Sequence, residues 1–199
     1  MTVLLHLSDT HFGTEQAPVL EAAPRLGRAQ QPSVLVLSGD ITQRARSSQF
    51  AAARAFCDSL AVPHVLTLPG NHDIPLYNLF ARAFSPYGGY MRAFGPDLEP
   101  ELDLPDLLVI GVNTTRPRRH KDGEVSPRQV RRVVERLQRA RRGQLRVVVT
   151  HQPACVMRPE DEENRLHGGE AAVQAWSRGG ADLALGGHIH LAYLRDGCA

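Results

Sequence analysis

The chain has 199 residues, 42% hydrophobic and 22% charged, which fits one soluble globular domain with a sizeable core. Its formal net charge of +2 gives no argument for nucleic-acid binding, and no apolar run approaches the roughly 18 residues of a membrane span. The apolar run at the N-terminus meets Asp9 at once, without the basic region or cleavage site of a signal peptide. Cys57, Cys155 and Cys198 are scattered and odd in number, which points to a reducing compartment, a cytoplasmic location and no disulfide framework. No CxxC pair is present, which argues against a thiolate zinc site.

The first predicted element is the strand Val3–Leu7, which ends in LSDTH and presents Asp9 and His11 two positions apart. A helical pattern over Val19–Ala29 leads to a second strand, Val34–Leu37, followed by SGD and Asp40. The helix Ser48–Leu60 precedes a third strand, Val65–Leu68, which runs into PGNHD with Asn71, His72 and Asp73. In the next predicted helix, Leu76–Phe84, the three- and four-residue spacing of Tyr77, Phe80 and Phe84 predicts contacts to the core. Residues Ser85–Asp106, rich in Pro, Gly and acids, read as an irregular excursion. Within it Tyr87 and Tyr90, beside Gly88 and Gly89, are candidates for a mobile substrate wall on which a base stacks.

The fourth strand is Leu107–Val112. Ser126 as cap and Pro127 at the first position open a helix over Pro127–Arg141. Val130, Val133, Val134 and Leu137 form its buried stripe, and its arginines occupy a solvated outer face. The fifth strand, Leu145–Val149, is followed by His151. Arg165 and His167, in NRLHGGE, precede the helix Glu170–Ser177 and are candidates for contacts near a phosphate. The sixth strand, Leu183–Leu185, runs into GGHIH with His188 and His190. The strands are nearly continuous in apolar residues, as for strands covered on both faces, and alternate with helices. The expected architecture is a single α/β layered domain with largely parallel strands.

Five of these six strands end in a carboxylate, an imidazole or an amide that can ligate metal or move a proton. Sites in α/β sheets form at the carboxyl ends of strands, so these groups can converge from distant parts of the chain. The mixture suits a first-row divalent ion such as Mn, Fe or Zn. Seven such groups are too many for one tetrahedral zinc and would serve two ions if one carboxylate bridges them. A pair of ions can clamp the attacking and leaving oxygens of a phosphoryl centre.

The ordered set Asp-x-His, Gly-Asp, Gly-Asn-His-Asp, His and Gly-His-x-His, from Leu5 to His190, resembles the calcineurin-like metallophosphoesterase superfamily. HLSDTHFG, LSGDIT, LPGNHD and GEVSPRQV are most similar to its bacterial class III cyclic-nucleotide phosphodiesterase group. The resemblance implies an α/β/β/α sandwich. It implies Asp9, His11 and His190 as ligands of one metal, Asn71, His151 and His188 as ligands of the other, and Asp40 as the bridge. It implies hydrolysis of cyclic nucleotides or other small phosphodiesters by a metal-bridging hydroxide. His72 would contact the phosphate, as would Asn71, and act as acid, with Asp73 orienting its imidazole. Members of the group usually continue well past Gly-His-x-His, whereas this chain ends nine residues after His190, so the second sheet is expected to be incomplete. Two alternatives stay open: a non-catalytic scaffold of the same fold that binds protein partners, and a hydrolase of lipid-linked nucleotides or phosphomonoesters.

Overall fold

A computed structural model describes residues 2–119 and 121–194. The chain forms two sheets. In the first, β1 (Leu4–Leu7), β2 (Val34–Ser38) and β3 (His64–Leu68) are parallel and lie in that order. In the second, β4 (Glu101–Asp103), β5 (Leu107–Gly111), β6 (Leu145–Val149) and β7 (Leu183–Leu185) lie in chain order, with only β4 antiparallel to its neighbour.

The sheets pack face to face. Val34, Val36, Leu66 and Leu68 of the first meet Leu107, Val109, Val147 and Val149 of the second in one buried cluster. The alternate residues of each sheet face helices. Leu35 and Leu37 pack against Phe50, Ala53 and Cys57 of α2 (Ser47–Ser59) and Tyr90 of α4 (Gly88–Phe94), with Leu20 of α1 (Ala17–Gln30) at the margin. Leu108, Ile110 and Val148 pack against Val133 and Leu137 of α5 (Pro127–Gln138) and Ala172 and Trp176 of α6 (Gly169–Gly179). The continuous apolar runs thus serve two interfaces each, and the order of layers is α/β/β/α.

Ser126 caps α5 as expected: Gln129 N donates to Ser126 Oγ at 3.2 Å, and Ser126 N donates to Gln129 Oε1 at 2.9 Å. Two expectations fail nearby. The segment read as irregular holds α4 and β4. The first begins with two glycines, and the second has only three residues, so neither gives a periodic signal. The arginines of α5 are also not all solvated: Arg132 and Arg136 pair with Glu99, Glu101 and Asp103 on and beside β4.

The predicted helix Leu76–Phe84 shortens to α3 (Leu79–Phe84), and its aromatics do not reach the core. Tyr77, Phe80 and Phe84 are each about three-quarters exposed. Phe80 and Phe84 stack on each other at 4.6 Å, and Arg44 lies 5.4 Å from the Tyr77 ring centroid. Helical spacing alone did not tell an inward face from an outward one. Cys57 is a buried free thiol, but Cys155 is disulfide-bonded, against the expectation of no disulfide; Cys198 lies outside the described residues. The cysteines therefore carry no argument for a reducing compartment. No described helix is long and apolar enough to cross a membrane.

Candidate metal centre

The loops that leave β1, β2, β3, β6 and β7 meet at one end of the sandwich. Backbone bonds join the first two loops: Asp9 N donates to Gly39 O, His11 N to Asp40 O and Phe12 N to Ile41 O. Asp9, His11, Asp40, His188 and His190 all adopt positive φ, five of the eight such non-glycine residues described. That conformation is costly for a residue with a β-carbon, and its concentration here marks a site that the surrounding packing holds in place. Two motif glycines have a steric role. At Gly39, with φ of +88°, a β-carbon would collide with the His151 ring, and at Gly70 it would overlap the backbone and carboxylate of Asp40.

Three groups of metal-competent atoms result, each with its atoms within 4.8 Å of one another: Asp9, His11 and His190; His11, Asp40 and His72; and Asp40, His151 and His188. Asp40 lies between the flanking groups. Its Oδ2 is 3.9 Å from His11 Nε2, and its Oδ1 is 3.2 Å from His151 Nε2. Asn71 Oδ1 is also 3.2 Å from His151 Nε2. All seven residues expected as ligands therefore converge.

Their contacts fit a cation better than they fit one another. His151 Nδ1 donates to the Ser38 carbonyl at 2.9 Å, so Nε2 faces two oxygen acceptors in a fully buried position. Burial pushes the His151 imidazole down, but the charge and hydrogen bond of Asp40 prevail and raise it to about 9, with a proton standing where a metal could. Burial alone would raise the Asp40 carboxyl; His151 and His72 outweigh it and hold the group below the usual carboxylate range. At the other flank His11 Nε2 and His190 Nε2 lie 3.1 Å apart. Their lone pairs repel unless a proton or a metal lies between them. His11 Nδ1 and His188 Nδ1 are buried with no hydrogen-bond partner among the described residues. Burial, with His151 second, pushes the His188 imidazole down to about 4, so it is neutral and competent as a ligand near pH 7.

His72 sits beside this cluster, its ring centroid 4.9 Å from that of His11. Its backbone N donates to Asp40 Oδ1 at 2.8 Å, and its Nδ1 lies 3.0 Å from the Gln43 carbonyl. A carbonyl only accepts, so Nδ1 carries the hydrogen and Nε2 is left for chemistry. The expected orienting role of Asp73 is therefore filled by Gln43 O. The fully buried Asp73 carboxylate instead accepts from Gly70 N, Ile41 N, Thr42 N and Thr42 Oγ, which ties the loop after β2 to the 3₁₀ turn Asn71–Asp73. Burial and the nearby Asp40 charge push its carboxyl up to about 6.

The residues expected to line a substrate wall do not gather here. Tyr90 is fully buried, with its hydroxyl donating to Thr67 O at 2.7 Å. The Tyr87 hydroxyl is bound to Thr115. Arg165 and His167 line a separate groove at the start of α6, where Arg165 pairs with Glu162 and Glu170. A cleft of about 650 Å³ over the cluster is lined instead by Gln43, Lys121 and Asn164 and by residues of the β1–α1 loop. Sequence reasoning missed these groups and the Ser38 and Gln43 carbonyls. A backbone carbonyl leaves no trace in residue type, and Lys121 stands in a loop crowded with other cations.

The calcineurin-like phosphoesterase family matches residues 2–192. This chain belongs to that family. One relative, the glycerophosphodiester phosphodiesterase GpdQ of Enterobacter lignolyticus (strain SCF1), is 33% identical over an 82-residue alignment that covers 36% of this chain and 29% of the relative. A purple acid phosphatase from yellow lupin seeds superposes with a TM-score of 0.71 at 16% identity, over 95% of this chain and 38% of that one. A dimetal phosphatase from Danio rerio gives 0.64 at 14% identity, covering 95% of this chain and 82% of its own. The phosphopantetheinyl hydrolase of Mycobacterium tuberculosis gives 0.59 at 17% identity, covering 96% and 83%. These structures share the fold, and the chain spans well under half the length of the GpdQ relative and of the lupin enzyme.

Proposed function

We propose that the protein is a metal-dependent hydrolase of small phosphoesters, with phosphodiesters as its main class, and that it uses two divalent ions. The observation that carries this reading is the position of Asp40, whose two carboxylate oxygens face two different imidazole groups. Asp9, His11 and His190 would hold one ion, Asn71, His151 and His188 the other, and Asp40 both. Bound there, the ions supply Lewis-acid stabilisation of charge on a phosphoryl group and an activated water as nucleophile. The family membership and the GpdQ relative support phosphoester chemistry.

The chain's own residues have distinct parts in this scheme. Ser38 O fixes the His151 ring so that Nε2 points at Asp40. Gln43 O fixes the tautomer of His72, so that Nε2 can hold a proton for the departing alkoxide. Asp73 is a positioning residue, since it acts only through the loops that it joins. Lys121, in the wall of the cleft, is paired with Glu163 at 3.6 Å, so its charge is partly offset before any anionic substrate arrives.

The test is to strip the protein of metal, reload it with Mn, Fe or Zn, and follow bis(p-nitrophenyl) phosphate. Hydrolysis restored by at least one metal is expected. Tight metal binding with no hydrolysis of any phosphoester, monoester or diester, would favour a non-catalytic scaffold instead.

A further inference from the structure

The cleft over the metal centre has two chemically different ends. One is made of Asp9, His11, Asp40, Asn71 and His72. The other is made of Leu7, Leu20, Ala23 and Phe56, none of which offers a polar side-chain atom; Leu20 and Ala23 belong to α1, and Leu7, Leu20 and Phe56 pack against the same core cluster. All four are only half-buried, whereas Leu35 and Leu37 in the layer below are sealed completely. Leu7 stands two residues before Asp9 in the chain, so the apolar arm starts within the reach of one ester substituent on a phosphoryl group at the metal cluster.

Apolar walls do nothing for a metal ion or a phosphate. They gain free energy only when an apolar group covers them. The charges nearby point the same way. Glu15 is at the rim on the α1 side, while the cleft's cation, Lys121, belongs to a different loop. A second phosphate or a carboxylate would meet the Glu15 carboxylate in the same lining, and a polyol would find its hydrogen bonds at Thr14 and Gln16 of the loop rather than on Leu7, Leu20, Ala23 and Phe56.

We propose that this arm is a binding site for an apolar ester group, so that the preferred substrates are phosphodiesters with a compact alkyl or aryl substituent. The inference rests on the reading of the protein as a metal-dependent phosphoester hydrolase and names the substrate class of that site. The metal cluster holds the phosphoryl group. Leu20 and Ala23 on α1, with Leu7 and Phe56 behind them, take the substituent out of water.

The experiment titrates metal-loaded protein by calorimetry with n-alkylphosphonates from methyl to butyl. The dissociation constant is expected to fall about fourfold per added methylene. Ala23→Leu, which fills the arm, and Leu20→Gln, which makes it polar, are each expected to flatten that dependence. A second variant guards against one that fails to fold. Equal affinity for the methyl and butyl members in the unaltered protein overturns the arm, as does a chain-length gain that survives both substitutions. The same preparation is assayed with bis(p-nitrophenyl) phosphate. Hydrolysis with a flat phosphonate series sinks the arm alone. No hydrolysis and no phosphonate binding sink the hydrolase reading and the arm with it.

Discussion

The two flanks of the candidate metal centre are built differently. Around Asn71 and His151 the protein is the more enclosed: His151 is 0% exposed, its ring is anchored to Ser38 O, and the 3₁₀ turn is tied down by Asp73. Around His11 and His190 the site opens to solvent, with the His190 side chain 58% exposed and its ring 5.0 Å from that of His11. The ring of His151 and the turn that carries Asn71 are thus held by protein groups alone. On the open flank the backbone of Asp9 and His11 is tied to the loop after β2, but the facing Nε2 atoms of His11 and His190 lie 3.1 Å apart, a repulsion relieved only by a cation or a proton.

The largest effect should come from the residue common to both flanks. Asp40→Ala is expected to lose bound metal, read by elemental analysis, and to lower hydrolysis roughly a thousandfold or more. Retention of metal on both flanks would deny Asp40 its bridging place. His72→Ala should lower turnover by about 10²–10⁴-fold while leaving metal content unchanged, since its ring was assigned to proton transfer and not to ligation. Asp73→Ala leaves three buried N–H donors unpaired and should cost about 3–5 kcal/mol in chemical denaturation. A loss under about 1 kcal/mol would show that the enclosed flank does not depend on this carboxylate.

His190→Ala sharpens the contrast directly. Metal content should fall toward roughly one ion per chain, with the remaining ion on the enclosed flank. Loss of all metal would mean that the flanks load together. The smallest effect concerns His6, whose Nε2 lies 2.7 Å from Ser38 Oγ behind the enclosed flank. Burial holds the His6 imidazole below its ordinary value near 6.5, against the opposing charge of Asp9. The unfolded chain takes up a proton that the folded protein resists. Stability is therefore full above about pH 6.5 and falls as pH drops toward the lowered folded value. Urea midpoints at about pH 8 and pH 5 should differ less in His6→Gln than in the unaltered protein.

The site was more legible than its surroundings. LSDTH, SGD, PGNHD and GGHIH show metal-competent residues by type, and the strands that precede them are apolar enough to be located within a residue or two. The second sphere was not legible. The family resemblance implied that Asp73 orients the ring of His72 before it, but neighbours along a 3₁₀ turn point in different directions, and the carboxylate turns inward to backbone donors. Tyr90 beside two glycines read as mobile, yet its hydroxyl found a buried partner in Thr67 from β3. Tyr77, Phe80 and Phe84 carry a helical period that is indifferent to whether their face meets the core or the solvent.

Residue type and order along the chain thus determined the layered α/β class and the strand ends that carry metal-competent groups, because strand hydrophobicity and ligand chemistry are local properties; the family resemblance of those motifs added the seven candidate ligands and His72 as candidate proton donor. The tertiary structure alone decided which carbonyl holds His72, which flank is more buried, which residues line the cleft and which aromatics stay outside. Each of those depends on backbone groups or on side chains brought together from distant segments, and a backbone carbonyl looks the same in every residue of the sequence.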